Sequence, residues 1–362
     1  MKHLTFFICT LGSGGAEHQI SLLANFLCER DYVVEIVTFG DIDDHYSLDS
    51  RIGRTRIAEG KSSFVKALAI FRYFLRVKTD CVLSFTQRAN ALMLPVKLFR
   101  PSLKVIAGER NCTIGDPDFY EKILFKLLYR KANWIVSNSY SQERHIRESQ
   151  PFLTSKLKVI TNYTDTNEYI ATPLPNKDVP CVGVFCRYDA QKNYERFLAA
   201  IDELNKEGKL CFEVHWYGMT RKLDGWNPDY LRFCELIEKY RLSDRIFAHD
   251  NTQNVAKEIE KYDVLCLPSL FEGFSNSLSE YICCGRPVLA SDVSDNSLMV
   301  KDGDNGFLFD PENVDSIAAA FSKFFVLSKE EKARMGIRSR EIAESLFKKE
   351  RFIDSYISLI ES

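Results

Sequence analysis

The chain has 362 residues, of which 45% are hydrophobic and 27% charged, and its net charge is −2. That length suits two domains of ordinary size; the composition is typical of a soluble globular protein, and the near-neutral charge speaks against nucleic acid as a partner. Eleven cysteines lie scattered without a CxxC pair, which speaks against a disulfide framework and suits free thiols in a reducing cytoplasm.

Residues 4–9 read as a strand, Gly12, Ser13, Gly14 and Gly15 as a loop, and 17–28 as a helix with apolar spacing at Ile20, Leu23, Ala24 and Leu27. The glycines end the first apolar run too early for a signal peptide. No apolar stretch approaches the roughly 20 residues that a spanning helix requires. Glycines between a strand and a helix let backbone approach a ligand, and the helix start can present N–H groups to phosphate. A dinucleotide fingerprint fails on spacing, because Glu17 stands where the third glycine belongs, although Glu35 partly mimics the ribose-binding acid.

Strand-like and helix-like segments then alternate at 33–39, 64–77, 81–85, 89–98, 105–107, 119–131, 134–137 and 158–161. Such alternation predicts a parallel sheet with helices on both faces. From Arg51 to Lys131 there are 17 Lys and Arg against 6 Asp and Glu, a net of +11. This basic stretch implies an anionic partner such as a membrane surface, with solvated helix faces as the alternative. Lys122, Lys126 and Arg130 are spaced by four and form one stripe on the expected helix 119–131. Arg72 and Arg76 repeat that spacing beside Phe71, Phe74 and Leu75. Gly108, Glu109, Arg110 and Asn111 follow the short strand 105–107.

Periodicity is lost at 162–180, which reads as an interdomain linker. A second series follows at 182–185, 197–204, 212–217, 230–240, 246–248, 264–267, 277–283 and 288–290, with helices at 317–325, 329–347 and 350–360. Arg187 and Lys192 lie between the first strand and first helix of this series. Two cations at such a turn can grip one pyrophosphate, Arg as a fork and Lys as a point charge. The stretch 272–280, EGFSNSLSE, follows the apolar strand 264–267. Glu272 and Glu280 stand eight residues apart across a turn and a helix start at Ser275 and Asn276. Order and spacing suit a phosphate at the helix N-terminus, with a polyol on either side.

These four motifs, GGAE at 14–17, GERN at 108–111, Arg187 with Lys192, and the Glu272–Glu280 signature followed by DGDNGFLF at 302–309, resemble retaining glycosyltransferases of family four. The resemblance spans nearly the whole chain. It departs from the family at Cys186 and Tyr188, where Gly and Leu are usual, and at Arg110, where many relatives carry His. It implies an α/β architecture of the GT-B type, two Rossmann-like domains with parallel sheets facing across a cleft. The expected division is an acceptor-side domain at 1–165, a nucleotide-sugar-binding domain at 166–345, and a C-terminal helix at 346–362 that returns to the first domain.

The resemblance further implies transfer of a sugar from a nucleotide-sugar, a UDP-sugar ahead of a GDP-sugar, to a hydroxyl of a glycan or polyprenyl-diphosphate-sugar acceptor in surface polysaccharide synthesis. Gly14 and Gly15 would face the donor. Arg187, Lys192 and backbone N–H groups at Phe274, Ser275 and Asn276 would stabilise the leaving diphosphate. Glu280 would hold the ribose, Glu272 the transferred sugar, and Glu109 and Arg110 would lie at the acceptor side beside the reacting carbon. No cofactor and no metal ligand are expected. Asp41-Ile-Asp43, Asp116-Pro-Asp118 and Asp302-Gly-Asp304 sit in turn-like sequence, and the six histidines show no ligand spacing. The alternatives are a nucleotide-sugar epimerase or hydrolase of the same fold and a non-catalytic sugar-binding subunit.

Overall fold

A computed structural model describes residues 1–110, 127–222 and 225–362. The chain forms two compact units, Met1–Tyr163 with Lys349–Ser362, and Thr164–Lys348. Lys122, Lys126, Asn111 and the Asp116-Pro-Asp118 turn lie outside the described residues, as does most of the expected helix 119–131.

Unit 1 runs β1 (His3–Ile8), α1 (Gly15–Glu29), β2 (Val33–Thr38), β3 (Gly53–Arg56), α2 (Ser63–Arg76), β4 (Cys81–Phe85), α3 (Gln87–Met93), β5 (Lys104–Glu109), β6 (Trp134–Ser137), α4 (Tyr140–Ser149) and β7 (Leu157–Val159). Its seven strands are ordered β3-β2-β1-β4-β5-β6-β7, and all neighbours are parallel. Helices cover both faces of such a sheet, so its central strands are apolar at consecutive positions. In β4 every residue of CVLSF is buried.

Three elements depart from the sequence expectation. Strand β3, GRTR, is a half-exposed edge without an apolar run. Helix α4 is polar and buries mainly Ile146 among its apolar residues; its signal was Ser139 followed by Gln142, whose N–H the Ser139 hydroxyl accepts at 3.2 Å. The expected helix 89–98 passes into a 3₁₀ turn at Leu94, because Pro95 cannot donate to the helical ladder.

Helix α2 also shows where a periodicity reading stops. Phe74 was grouped with Arg72 and Arg76, but it faces the core and meets Phe7 edge-on at 4.9 Å. The exposed apolar residues of this helix are Phe64, Val65, Leu68 and Leu75, beside exposed Arg72 and Arg76. Phe71 packs on exposed Phe99 at 5.3 Å.

Unit 2 runs β8 (Cys181–Phe185), α5 (Tyr194–Lys206), β9 (Glu213–Tyr217), the two-residue strands β10 (Arg221–Lys222) and β11 (Gly225–Trp226), α6 (Pro228–Lys239), β12 (Ile246–His249), α7 (Val255–Ile259), β13 (Val264–Leu267), α8 (Asn276–Cys283), β14 (Val288–Ser291), α9 (Asn296–Met299), β15 (Gly306–Phe309), α10 (Val314–Phe325) and α11 (Lys329–Leu346). Its parallel sheet has the order β12-β9-β8-β13-β14-β15. Trp216 on β9 is fully buried against Phe197 and Phe233, and its indole N–H donates to the Cys186 carbonyl at 3.1 Å.

This order fixes where a ligand can sit. From β8 the chain builds outward through β9 and β12, and from β13 in the opposite direction through β14 and β15. The strand order thus reverses between β8 and β13, and the C-terminal ends of the strands at such a switch point are the usual ligand position in an open α/β sheet. The last helix, α12 (Lys349–Glu361), packs within unit 1. Phe352 stacks on Tyr163 at 5.7 Å, and Lys104 donates to the Ile360 carbonyl at 3.0 Å.

Candidate active site

In unit 2 the loop after β8 carries Arg187 and Lys192, and the loop after β13 carries Glu272. Both leave strand ends at the switch point. The first loop closes in a 3₁₀ turn, where the Asp189 carboxylate accepts from the Lys192 N–H at 3.1 Å. Asn193 then adopts a left-handed conformation at φ 57°, which Asn tolerates better than most residues, before α5 begins. The two loops are laced together. Leu270 N–H donates to the Gln191 carbonyl at 2.8 Å, and the Gln191 side-chain amide donates to the Phe271 carbonyl at 2.9 Å. From the loop after β14, the Ser294 hydroxyl accepts from the Glu272 N–H at 3.2 Å and donates to the Glu272 carbonyl. Ser294 sits at φ 51°, a strained backbone of the kind that persists where surroundings hold it at a functional loop.

This lacing brings Lys192 Nζ to 2.5 Å from Glu272 Oε1, in a pair whose side chains are 10% and 11% exposed. Burial disfavours the Lys192 charge, but the neighbouring Glu272 carboxylate outweighs it and raises the Lys192 pKa. Sequence reasoning assigned these residues to different parts of a ligand; the structure joins them to each other. Arg187 is 68% exposed and reaches only local groups, Asp189 at 3.2 Å and Gln191 at 3.3 Å. It is an exposed cation beside a buried one.

Phe274 and Ser275 are buried and lead into α8, where the Ser275 hydroxyl accepts from Leu278 N–H at 3.3 Å as the N-cap. Asn276 is its first residue, so the helix start with its positive partial charge follows the Glu272 loop directly. Glu280 lies in the second turn. Burial pushes its carboxyl up to about 8, against the opposing hydrogen bond from the Tyr169 hydroxyl. A carboxyl with that pKa is mostly protonated at neutral pH.

Unit 1 presents its motifs differently. Gly14 is the N-cap of α1 and Gly15 its first residue. The Glu17 side chain folds back over Gly14, where any Cβ would collide with its carboxylate. Thr10 donates to Glu17 at 3.4 Å, and burial raises the Glu17 pKa. A carboxylate of the same helix thus covers this helix start, a role the sequence reading left unassigned. Ser294, Gln191 and Asp189 were missed altogether, because nothing local marks a serine or glutamine that acts by joining loops.

Glu109 and Arg110 lie inside unit 1. Glu109 ends β5 and is fully buried, accepting from the Asn90 amide at 3.1 Å and from the Tyr129 hydroxyl. Arg110 is 8% exposed; it donates to Asn162 at 3.0 Å and to the Tyr356 hydroxyl of α12, and its guanidinium lies 4.5 Å from the centre of the Phe85 ring. Both side chains point into the packing around a central strand end, so their hydrogen bonds serve unit 1 itself. The two Asp-x-Asp turns among the described residues are also spent locally. Asp41 accepts from Lys66 and Gly60, Asp43 from Arg56, Asp302 from Leu308 N–H, and Asp304 from Arg338.

Residues 165–342 match the family Glycosyl transferases group 1. An N-acetylgalactosaminyltransferase of Campylobacter jejuni, whose full name specifies N-acetylgalactosamine-N,N'-diacetylbacillosaminyl-diphospho-undecaprenol as its acceptor, is 24% identical over 88% of each chain. Sucrose-phosphate synthase from Thermosynechococcus elongatus superposes with a TM-score of 0.85 at 16% identity, covering 100% of this chain and 98% of that one. Anabaena HepE in complex with UDP and glucose gives 0.82 at 16% identity, with full coverage of both chains. The second unit is a group 1 glycosyl transferase domain, and the chain is a glycosyltransferase of the GT-B fold.

Proposed function

From a glycosyltransferase of the GT-B fold, we propose a retaining enzyme that moves a sugar from a UDP-sugar to a hydroxyl of a lipid-diphosphate-linked glycan in surface polysaccharide synthesis. The observation that carries this reading is the buried Lys192–Glu272 pair at the β8/β13 switch point, beside exposed Arg187 and the α8 helix start. A diphosphate bears more charge than a carboxylate. It competes for Lys192, draws in Arg187, and frees Glu272 to accept hydrogen bonds from hydroxyls of the transferred sugar. The bond from the anomeric carbon to phosphate oxygen breaks, and the bond to the acceptor oxygen forms on the same face. The leaving phosphate oxygen takes the acceptor's proton, and Lys192, Arg187 and the N–H groups around Phe274–Asn276 stabilise its charge. Two cationic groups and a helix dipole supply what a divalent ion supplies elsewhere, so turnover proceeds without metal. Glu280 holds the ribose.

Relatives support the acceptor class. The Campylobacter jejuni transferase is named for an undecaprenol-diphosphate-linked glycan. No helix among the described residues is long and apolar enough to cross a membrane. The exposed face of α2, with Phe64, Leu68 and Leu75 beside Arg72 and Arg76, suits peripheral contact with anionic lipid.

The test is product analysis by mass spectrometry, with UDP-, GDP- and dTDP-sugars and a polyprenyl-diphosphate-linked saccharide, with and without EDTA. Extension of the acceptor by one sugar from a UDP-donor, undiminished by EDTA, is expected. Free sugar or an isomerised nucleotide-sugar with no extended acceptor overturns the reading.

A further inference from the structure

A cluster unrelated to the Lys192–Glu272 pair lies at the other end of the same strands. Cys181 opens β8, and Glu213 opens β9 directly opposite it in the parallel register. His215 is two residues further along β9 and so shares its face with Glu213. Ligand atoms of Cys181, Glu213 and His215 all lie within 4.8 Å of one another. His215 Nε2 is 3.6 Å from Glu213 Oε2, close to the separation of about 3.3–3.7 Å that tetrahedral bonds of about 2.0 Å (N, O) and 2.3 Å (S) place between neighbouring ligands.

Two further observations point to a cation there. The other ring nitrogen of His215, Nδ1, is 3.0 Å from Nε2 of His249, on the neighbouring strand β12. Metal-bound imidazoles are typically oriented in this way, by a hydrogen bond on the nitrogen away from the metal. Also, the Lys177 ammonium, from an exposed side chain, already lies 3.3 Å from Cys181 Sγ. A cationic group is thus already accommodated beside this sulfur. The Cys181 backbone is held by the Asp263 carboxylate, which accepts from its N–H at 2.8 Å. Cys181 is buried, while Glu213 and His215 are half-exposed and leave an entry path.

We propose that Cys181 Sγ, a Glu213 carboxylate oxygen and His215 Nε2 form a binding site for a zinc-class divalent ion, with water as the fourth ligand and His249 positioning the His215 ring. One sulfur, one nitrogen and one oxygen donor select Zn²⁺ or Co²⁺ over Mg²⁺ or Ca²⁺. Binding releases the thiol proton to solvent as the sulfur–metal bond forms, and it displaces the Lys177 ammonium into water. The site lies a strand's length from the Lys192 loop. It is therefore structural: it fastens the start of β8 to the start of β9.

Co²⁺ titration of the full-length, chelator-treated protein tests this. One equivalent should produce the thiolate-to-metal charge-transfer band and the visible bands of four-coordinate Co²⁺, and Zn²⁺ should bleach both. Cys181→Ser should abolish the charge-transfer band. His249→Gln should keep the band and weaken affinity about 10- to 100-fold, as loss of an outer-shell partner does. Lys177→Met should bind at least as tightly as the parent. Zn²⁺ should raise the melting temperature of the apo-protein while transferase turnover, read separately, stays unchanged. Absence of the charge-transfer band, or equal Co²⁺ affinity in a Cys181→Ser/His215→Gln variant, overturns the site. Should Cys181→Ser fail to fold, His215→Gln alone must lose at least 100-fold in Co²⁺ affinity for the proposal to stand.

Discussion

Both units place a glutamate and a cation near the C-terminal end of a central parallel strand, and they put them to opposite uses. In unit 1, Glu109 and Arg110 follow one another at the end of β5 and are each committed to internal partners, Tyr129 and Asn90 for one, Asn162 and Tyr356 for the other. In unit 2, Lys192 and Glu272 come from loops 80 residues apart and are committed to each other. A group hydrogen-bonded to framework is a structural element. A pair that satisfies itself at the switch point can exchange its partner for a ligand without leaving framework groups orphaned. Charge type and strand position do not separate these cases; the identity of the partners does.

Lys192→Ala is the strongest way to break this comparison. Turnover should fall about 100- to 1,000-fold, the usual effect of removing one donor that stabilises charge in the transition state. Donor affinity should change far less, because the charge grows mainly as the bond breaks. Steady-state kinetics on protein shown to be folded by circular dichroism would check it. Near-parental turnover would move the chemistry elsewhere.

The complementary change is Arg110→Ala. It should lower unfolding free energy by about 3 kcal/mol, since it leaves buried partners of a charged donor unsatisfied and loosens α12. Turnover per folded molecule should stay within a few-fold. Urea denaturation and kinetics together decide: an unchanged midpoint with a hundred-fold slower reaction would restore Arg110 to the chemistry and erase the contrast.

Glu280 sharpens the comparison through pH. A carboxylate accepts hydrogen bonds from both ribose hydroxyls, whereas its acid form accepts fewer. With its pKa near 8, the ionised fraction rises about tenfold between pH 7 and pH 9, and UDP affinity should rise in step. The same shift has a stability consequence of opposite sense. In the folded chain the carboxyl keeps its proton up to about pH 8, while in the unfolded chain it releases it near 4.5. This group's contribution is therefore fully present below pH 4.5 and is lost as pH climbs through 8. Glu280→Gln should flatten both dependences. Calorimetric UDP titrations and melting curves across pH 6–9 measure them, and a parental slope in the variant would assign the titration to another group.

The smallest effect concerns the basic stretch of unit 1. Co-sedimentation with vesicles containing anionic lipid should weaken with added salt. It should drop when Phe64 and Leu68 become Ser, and separately when Lys122, Lys126 and Arg130 become Glu. Equal recovery in the supernatant with and without vesicles would remove the membrane contact and leave the transferase assignment standing.

The sequence by itself determined the class of fold and the local strand–loop–helix order around Glu272. Buried parallel strands are written as local apolar runs such as VLCL at Val264–Leu267. The strand–loop–helix order around Glu272 and Ser275 is likewise local, so periodicity and spacing reach it. Tertiary structure alone decided which charged residues meet. Lys192 finds Glu272, Gln191 finds Phe271, and Ser294 finds Glu272 only because β8, β13 and β14 are neighbours in the sheet. The same holds for His215 and His249, 34 residues apart and without ligand spacing in sequence, yet 3.0 Å apart across adjacent strands. Burial of Glu109 and Arg110, and their bonds to Asn90, Asn162 and Tyr356, are likewise tertiary facts. Local pattern is set by what each residue prefers among its chain neighbours; partnership and burial are set by which strands lie side by side, and that is a property of the whole fold.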